Sequence, residues 1–338
     1  MAQAGWLRNR PFDTTFIVGV ATIAIAAGFA AAFYPPAFVP LLVADMWLIG
    51  YQHVIATFTR LKDYEDKTER RFMLYALPIL VAGFVGIVAW QIGVIAIVTI
   101  YLYWQWFHYT RQSWGISQAY RHKSGGLVKE DANLSTLTFY ALPAFGILHR
   151  SWQNPDTFLT LPVYTPPTPG WLVVLAGTVA VATLLWWAYQ RILAWRAGVL
   201  PVAHTLYMVS HFAIFTTGYL LIEDITYGWL AINIWHNAQY ILFVWLFNNN
   251  RFSKNPNGTV LSWLSQTNRA PVYFFVCVAI ATIVYSSIAI STHELAVVGL
   301  PIAILVYQAI NFHHYIVDSR IWKTRTKTMQ TTLNLKRA

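Results

Sequence analysis

The chain has 338 residues, 57% of them hydrophobic and only 11% charged, and its mean hydropathy is +0.46. So little polar surface excludes an ordinary soluble domain and makes this an integral membrane protein. The formal charge of +10 fits the positive loops of a polytopic protein better than nucleic-acid binding, and the lone Cys277 excludes thiolate cages, leaving histidine, carboxylate and amide as metal donors.

Arg8 and Arg10 precede an apolar run over 16–33 that resembles a signal peptide in outline. The run is long enough to span, and no clear cleavage site follows, so it is read as a retained first helix. Apolar stretches then predict about ten spans, near 15–34, 38–60, 72–90, 93–115, 134–150, 170–190, 203–222, 225–247, 271–291 and 296–318. The fold class expected is all-α, a polytopic helical bundle in an inner membrane.

The loops alternate in charge. Arg60, Lys62, Lys67, Arg70 and Arg71 follow the second span, and Arg121, Lys123 and Lys129 the fourth. Arg191 and Arg196 follow the sixth, Arg251, Lys254 and Arg269 the eighth, and Arg320, Lys323, Arg325, Lys327, Lys336 and Arg337 the tenth. On the opposite side only Arg150 is basic, so both termini are expected in the cytoplasm. The proline-rich stretch 151–169 reads as an ordered or extended exterior cap. Gly125-Gly126 and 255–258 read as interior turns. Residues 1–320 form one transmembrane domain, and 321–338 a basic, solvated cytoplasmic tail near anionic head groups.

The histidines are the informative residues. Counting from the basic loops at about 1.5 Å per residue, His53, His108, His313 and His314 fall in the cytoplasmic half of the bilayer, with His211 and His236 near its midplane. His149 and His293 fall at the exterior boundary and His122 in a loop; His204 stands at a helix edge. A lone intramembrane histidine is more often a strut between helices than a ligand. Five or six at one depth favour a shared site, because polar groups there cost free energy unless something uses them.

Their polar neighbours follow the same pattern. Gln105, His108, Arg111 and Gln112 recur at three- and four-residue steps and form one stripe facing protein or water. Asp45, Gln52 and His53 lie along one side of the second span. Asp45 would cost roughly 2.5–3.5 kcal/mol if it faced lipid unpaired, which calls for a partner. Asp318 stands four residues after His314, the spacing of a carboxylate that orients a ligating imidazole. His313 and His314 point about 100° apart on a helix, so they serve two ions, or one binds metal while the other bonds a neighbouring helix.

Three segments, Gly50-Tyr-Gln-His53, Trp235-His-Asn237 and Asn311-Phe-His-His-Tyr-Ile-Val-Asp318, have a layout that resembles His-rich polytopic membrane oxygenases. The nearest are the carotenoid-cleaving proteins of the Brp and Blh family. The resemblance is one of arrangement: His53 stands between Gln52 and Val54, where that family has Pro-His-Gly. It implies iron held by histidines from several helices and action on a long apolar substrate.

The expectation is a membrane metalloenzyme, a non-haem iron oxidoreductase of oxygenase type. His53, His108, His211, His236, His313 and His314 are the metal ligands, and Asp45, Arg111 and Asp318 assist as orienting, proton-relaying or substrate-anchoring groups. Iron is the first choice of ion, with copper or zinc next. Membrane lipid, a lipophilic substrate, dioxygen and an electron donor are the partners, and nucleic acid is not. A proton-coupled transporter and a haem-binding electron carrier are the alternatives.

Overall fold

Polar side chains set where the helices begin. Asn9 accepts the Phe12 N–H at 2.9 Å, Asp66 accepts those of Thr68 and Glu69, both at 2.9 Å, and Asp131 accepts those of Asn133 and Leu134, each satisfying amides that a first helical turn leaves open. From these starts the computed structural model builds α1 (Arg10–Phe33), α2 (Pro35–Leu61), α3 (Lys67–Gln91), α4 (Val94–Lys123), α5 (Ala132–Gln153) and α6 (Gly170–Arg196). Then come α7 (202–221), α8 (Ile225–Ser253), α9 (Thr267–Thr292) and α10 (Ile302–Ile321). The structure describes residues 5–62, 64–124, 131–253, 256–292, 296–297 and 300–335. The expected turn at Gly125-Gly126, the turn residue Asn255, the boundary residues His293 and Glu294, and the loop and tail cations Lys129, Lys254, Lys336 and Arg337 lie outside the described residues.

The protein is an all-α bundle of membrane type. Among the described residues five helices, α1, α2, α3, α6 and α9, are long and apolar enough to cross a membrane. The other five stretches read from the sequence as spans form long helices, but α4, α5, α7, α8 and α10 are less apolar. They carry the histidines, amides and tyrosines that face inward. The division is physical: α6 and α9 bury only 17% of their apolar windows, whereas α8 is buried along most of its length, down to Asn248 and Asn249. α8 is the axis of the bundle, packed against α1, α2 and α7.

Close approach at that axis depends on small residues. A Cβ on Gly228 would lie 2.0 Å from the Gly218 carbonyl oxygen, and one on Gly28 would lie 2.7 Å from the Ala231 Cβ, so backbones of α7 and α1 meet α8 almost directly. Arg150, read as the lone exterior cation, is in fact buried. Its guanidinium donates to the Gly218 carbonyl at 3.0 Å, and to those of Ile222 and Glu223, at the end of α7. A cation on the last carbonyls of a helix offsets both their lost partners and the dipole.

The 151–169 stretch is an ordered cap. β1 (Thr157–Phe158) pairs antiparallel with β2 (Leu161–Pro162), and Phe158 plugs inward against Trp229 of α8, ring centres 5.7 Å apart. The tail differs from expectation. Rather than a solvated extension, it folds back as a short helix, Lys327–Thr332. Met329 and Leu333, four apart on one face, are buried with Leu335, and Lys123 Nζ donates to the Leu333 carbonyl at 3.2 Å. Glu65, bonded to Arg60 at 3.1 Å and to Thr328, ties the tail to the end of α2.

Gly228→Ala is expected to destabilise the detergent-solubilised protein by about 1–3 kcal/mol through overpacking against backbone. Gly86→Ala, whose added Cβ meets nothing within 4 Å, is the control. Thermal unfolding that left the two variants equally stable would contradict the close α7–α8 crossing.

Candidate metal centre

Three helices far apart in the chain bring their polar atoms to one place. Among the described residues one group has metal-like convergence: His53 of α2, His108 of α4, and His314 and Asp318 of α10, all buried, each offering a donor atom within 4.8 Å of the others. His53 Nε2 lies 2.7 Å from His314 Nε2, and Asp318 Oδ2 lies 3.4 Å from that same nitrogen.

The surrounding hydrogen bonds explain which nitrogen faces the cluster. His314 Nδ1 is 2.9 Å from Thr57 Oγ1, Thr57 Oγ1 is 2.7 Å from the Tyr240 hydroxyl, and Tyr240 donates to Asp318 Oδ1 at 2.7 Å. Trp322 Nε1 also donates to the Tyr240 oxygen, at 3.1 Å. A hydroxyl has one proton to give. With Tyr240 giving its own to Asp318, Thr57 gives to Tyr240 and His314 Nδ1 gives to Thr57. That leaves the His314 Nε2 lone pair pointing into the cluster, the second-shell arrangement by which a ligating imidazole is oriented. Without an ion, His53 Nε2–H donates to it; with one, both nitrogens turn lone pairs to the cation.

Tyrosine rings hold the imidazoles in place. Tyr240 stacks on His53 with ring centres 4.0 Å apart and planes 5° apart, Tyr315 covers His108 at 4.2 Å, and Tyr109 covers His236 at 4.0 Å. His236 stands beside the four, its ring centre 4.7 Å from that of His53 and 4.9 Å from that of His108, but outside the converging set. Among the described residues, His108 Nε2, His236 Nδ1 and Asp318 Oδ2 have no hydrogen-bond partner. Orphaned buried polar atoms cost free energy, and a cation at the convergence would give His108 and Asp318 the partner they lack. The donor set is nitrogen and oxygen without sulfur, which suits iron, copper or zinc.

The other expected residues divide. Asp45 has the partners its depth called for: it is buried and accepts from the Asn233 and Asn237 side chains, at 2.5 and 3.2 Å. These α8 amides flank His236. A π-helical turn at Met46–Gly50 lies between Asp45 and His53, and Gln52, buried like both of them, bonds the Leu48 carbonyl at 2.6 Å. Arg111 is exposed, donates to the Tyr140 hydroxyl at 2.9 Å and lines a cavity of about 470 Å³ that reaches His108 and Asp318.

Two expected ligands stand away from the convergence. His211 packs face to face on Phe139 at 3.7 Å, with Ser113 Oγ 3.0 Å from Nδ1 and the Phe139 carbonyl 3.1 Å from Nε2. It is a strut between α4, α5 and α7. His313 turns to α3, its Nε2 2.8 Å from the Met73 carbonyl, inside the π turn Phe72–Ala76. Such turns open the regular ladder to outside donors, and neighbouring residues on a helix cannot face one point. His204, at its helix edge, contacts Arg191 at 3.3 Å.

Thr57, Tyr240, Tyr315 and Trp322 are parts of the site that sequence reasoning missed. A signal was present for two: Thr57 stands four residues after His53, and Tyr240 four after His236, each one turn along the same face.

No family model matches the chain, and no curated protein and no solved structure matches it.

Tyr240→Phe keeps the ring on His53 and removes the hydroxyl from Asp318 and Thr57. Losing such a supporting hydrogen bond is expected to weaken divalent-ion affinity roughly 10–100-fold, read by competition with a chromophoric chelator. An affinity equal to that of the unchanged protein would mean that Tyr240 does not position Asp318.

Proposed function

We propose that this is a multi-pass membrane metalloenzyme that oxidises a lipophilic substrate at one non-haem metal ion. In this reading the chain crosses an inner membrane ten times with both termini in the cytoplasm. The ion is held by His53, His108, His314 and Asp318, and His236 stands by as a further donor. The observation that carries the proposal is the convergence of three imidazoles and a carboxylate within 4.8 Å, with orphaned atoms among them.

Iron is the proposed ion. Mixed histidine and carboxylate ligation with open positions is the pattern of non-haem iron oxygenases, and the layout resembles the Brp and Blh family. When bound, such an ion would supply Lewis acidity and redox chemistry toward dioxygen and the substrate. The chain's own residues do the rest. Thr57 and Tyr240 hold His314 and Asp318 in their ligating orientation, and Tyr109, Tyr240 and Tyr315 keep the rings from turning and exclude water. Asp45, in its amide cradle, is the nearby group suited to holding a proton. The four donors converge within 4.8 Å of one another instead of standing on opposite sides of a macrocycle-sized gap, which favours a non-haem ion over the haem carrier.

Elemental analysis of the purified protein, with an optical spectrum, is the test. About one ion per chain is expected, lost in His53→Ala, His314→Ala and Asp318→Ala but kept in His313→Ala and His211→Ala. Equal metal content in all six proteins would overturn the site, and a Soret band would replace it with a haem.

A further inference from the structure

The cavity of about 470 Å³ beside the cluster is asymmetric in its chemistry. Trp104, Phe107 and Phe243 form apolar walls, His108 and Asp318 lie at the inner end, and Arg111, Lys323 and Arg325 also line it. Its size is within the roughly 300–1,000 Å³ of small-molecule sites. The three cations come from separate places, one on α4 and two on the segment after α10. The folded-back tail fixes that segment, because Met329, buried in the bundle, lines the same cavity. Phe107 is exposed on the flank of α4, so the apolar side of the cavity reaches the surface of the bundle.

Among the described residues the one carboxylate in the lining is Asp318, and its Oδ1 already takes the Tyr240 hydroxyl. Three cations lining an apolar slot, with Asp318 the one carboxylate among the described lining residues, select a ligand with an anionic head and an apolar body. We propose that the cavity binds a single-chain aliphatic carboxylate, its head on Arg111, Lys323 and Arg325 and its chain running past Trp104 and Phe107 toward His108 and Asp318. The proposal names the substrate class of the metalloenzyme read above and rests on that reading for what happens to the chain, but not for its binding. One chain fits the volume better than two, which sets the ligand apart from bilayer phospholipid. Anionic phospholipid drawn to a basic surface is the rival source of the same head-group chemistry.

Displacement of a fluorescent fatty-acid analogue from the full-length protein in neutral detergent tests this. Palmitate is expected to displace the probe at a concentration about tenfold or more below that of hexadecanol, the worth of one charge-assisted contact. Arg111→Gln, and separately Lys323→Gln with Arg325→Gln, should reduce that advantage to about threefold or less; Arg111→Lys should restore part of it. His314→Ala should keep it while losing metal, so failure of the ion site and failure of the lipid site are read separately. Equal displacement by palmitate and hexadecanol, an advantage untouched in both glutamine variants, or displacement by phosphatidylglycerol but not palmitate would each overturn the proposal. Thermal midpoints of the variants establish that each remains folded, and the two glutamine variants do not depend on each other.

Discussion

Everything at the centre of this protein follows from one constraint: a carboxylate and three imidazoles are buried together in a small volume between three helices. Asp318 receives the Tyr240 hydroxyl on one oxygen, and the other, 3.4 Å from His314 Nε2, has no hydrogen bond. His108 offers a nitrogen to the same space with no partner. A buried anion is tolerated only when paired, protonated or bound to a metal. Histidines crowded together compound the need, since one proton among them repels the next. A divalent cation resolves all of these demands together, and this is why the cluster reads as a binding site and not as a set of struts.

The fold is arranged to maintain that constraint. α8 is the scaffold: its Asn233, His236, Asn237 and Tyr240 stand three or four residues apart and present one polar face to α2, α4 and α10. Around the site the apolar helices α1, α3 and α9 pack on α8, on α4 and α10, and on α2 and α10 respectively, while α6 packs on the outside of α5. The inward helices are less apolar because a helix with the site on one side and protein on the other needs no greasy surface. Glycine contacts between α7 and α8, and Arg150 on the carbonyls that end α7, hold the axis closed at one end. The tail, folded back through Met329, closes the other.

Much of this was legible in the sequence, and the failures have local causes. Composition and loop charge located the long helices, and counting residues from basic loops brought His53, His108 and His314 to a common depth. The Asp318 pairing followed from a four-residue step on an ordinary helix. Depth, however, does not report direction. His211 lies at a suitable level but faces Phe139, and His313 is turned away by the 100° between neighbours. The π turns at Met46–Gly50 and Phe72–Ala76 leave no mark in hydropathy, so the opening of the Met73 carbonyl to His313 could not be foreseen. The roles of Tyr240 and Trp322 depend on partners from other helices that a linear pattern does not pair. The tail misled through its charge, which outweighed the apolar spacing of Met329 and Leu333.

Metal K-edge X-ray absorption on the purified, unsubstituted protein tests the central claim most directly. The account predicts a first shell mixing imidazole nitrogen and carboxylate oxygen at about 2.0–2.2 Å, with the outer-shell scattering that rigid imidazole rings produce. A protein carrying no metal above background, or an ion surrounded by water oxygens alone, would contradict it.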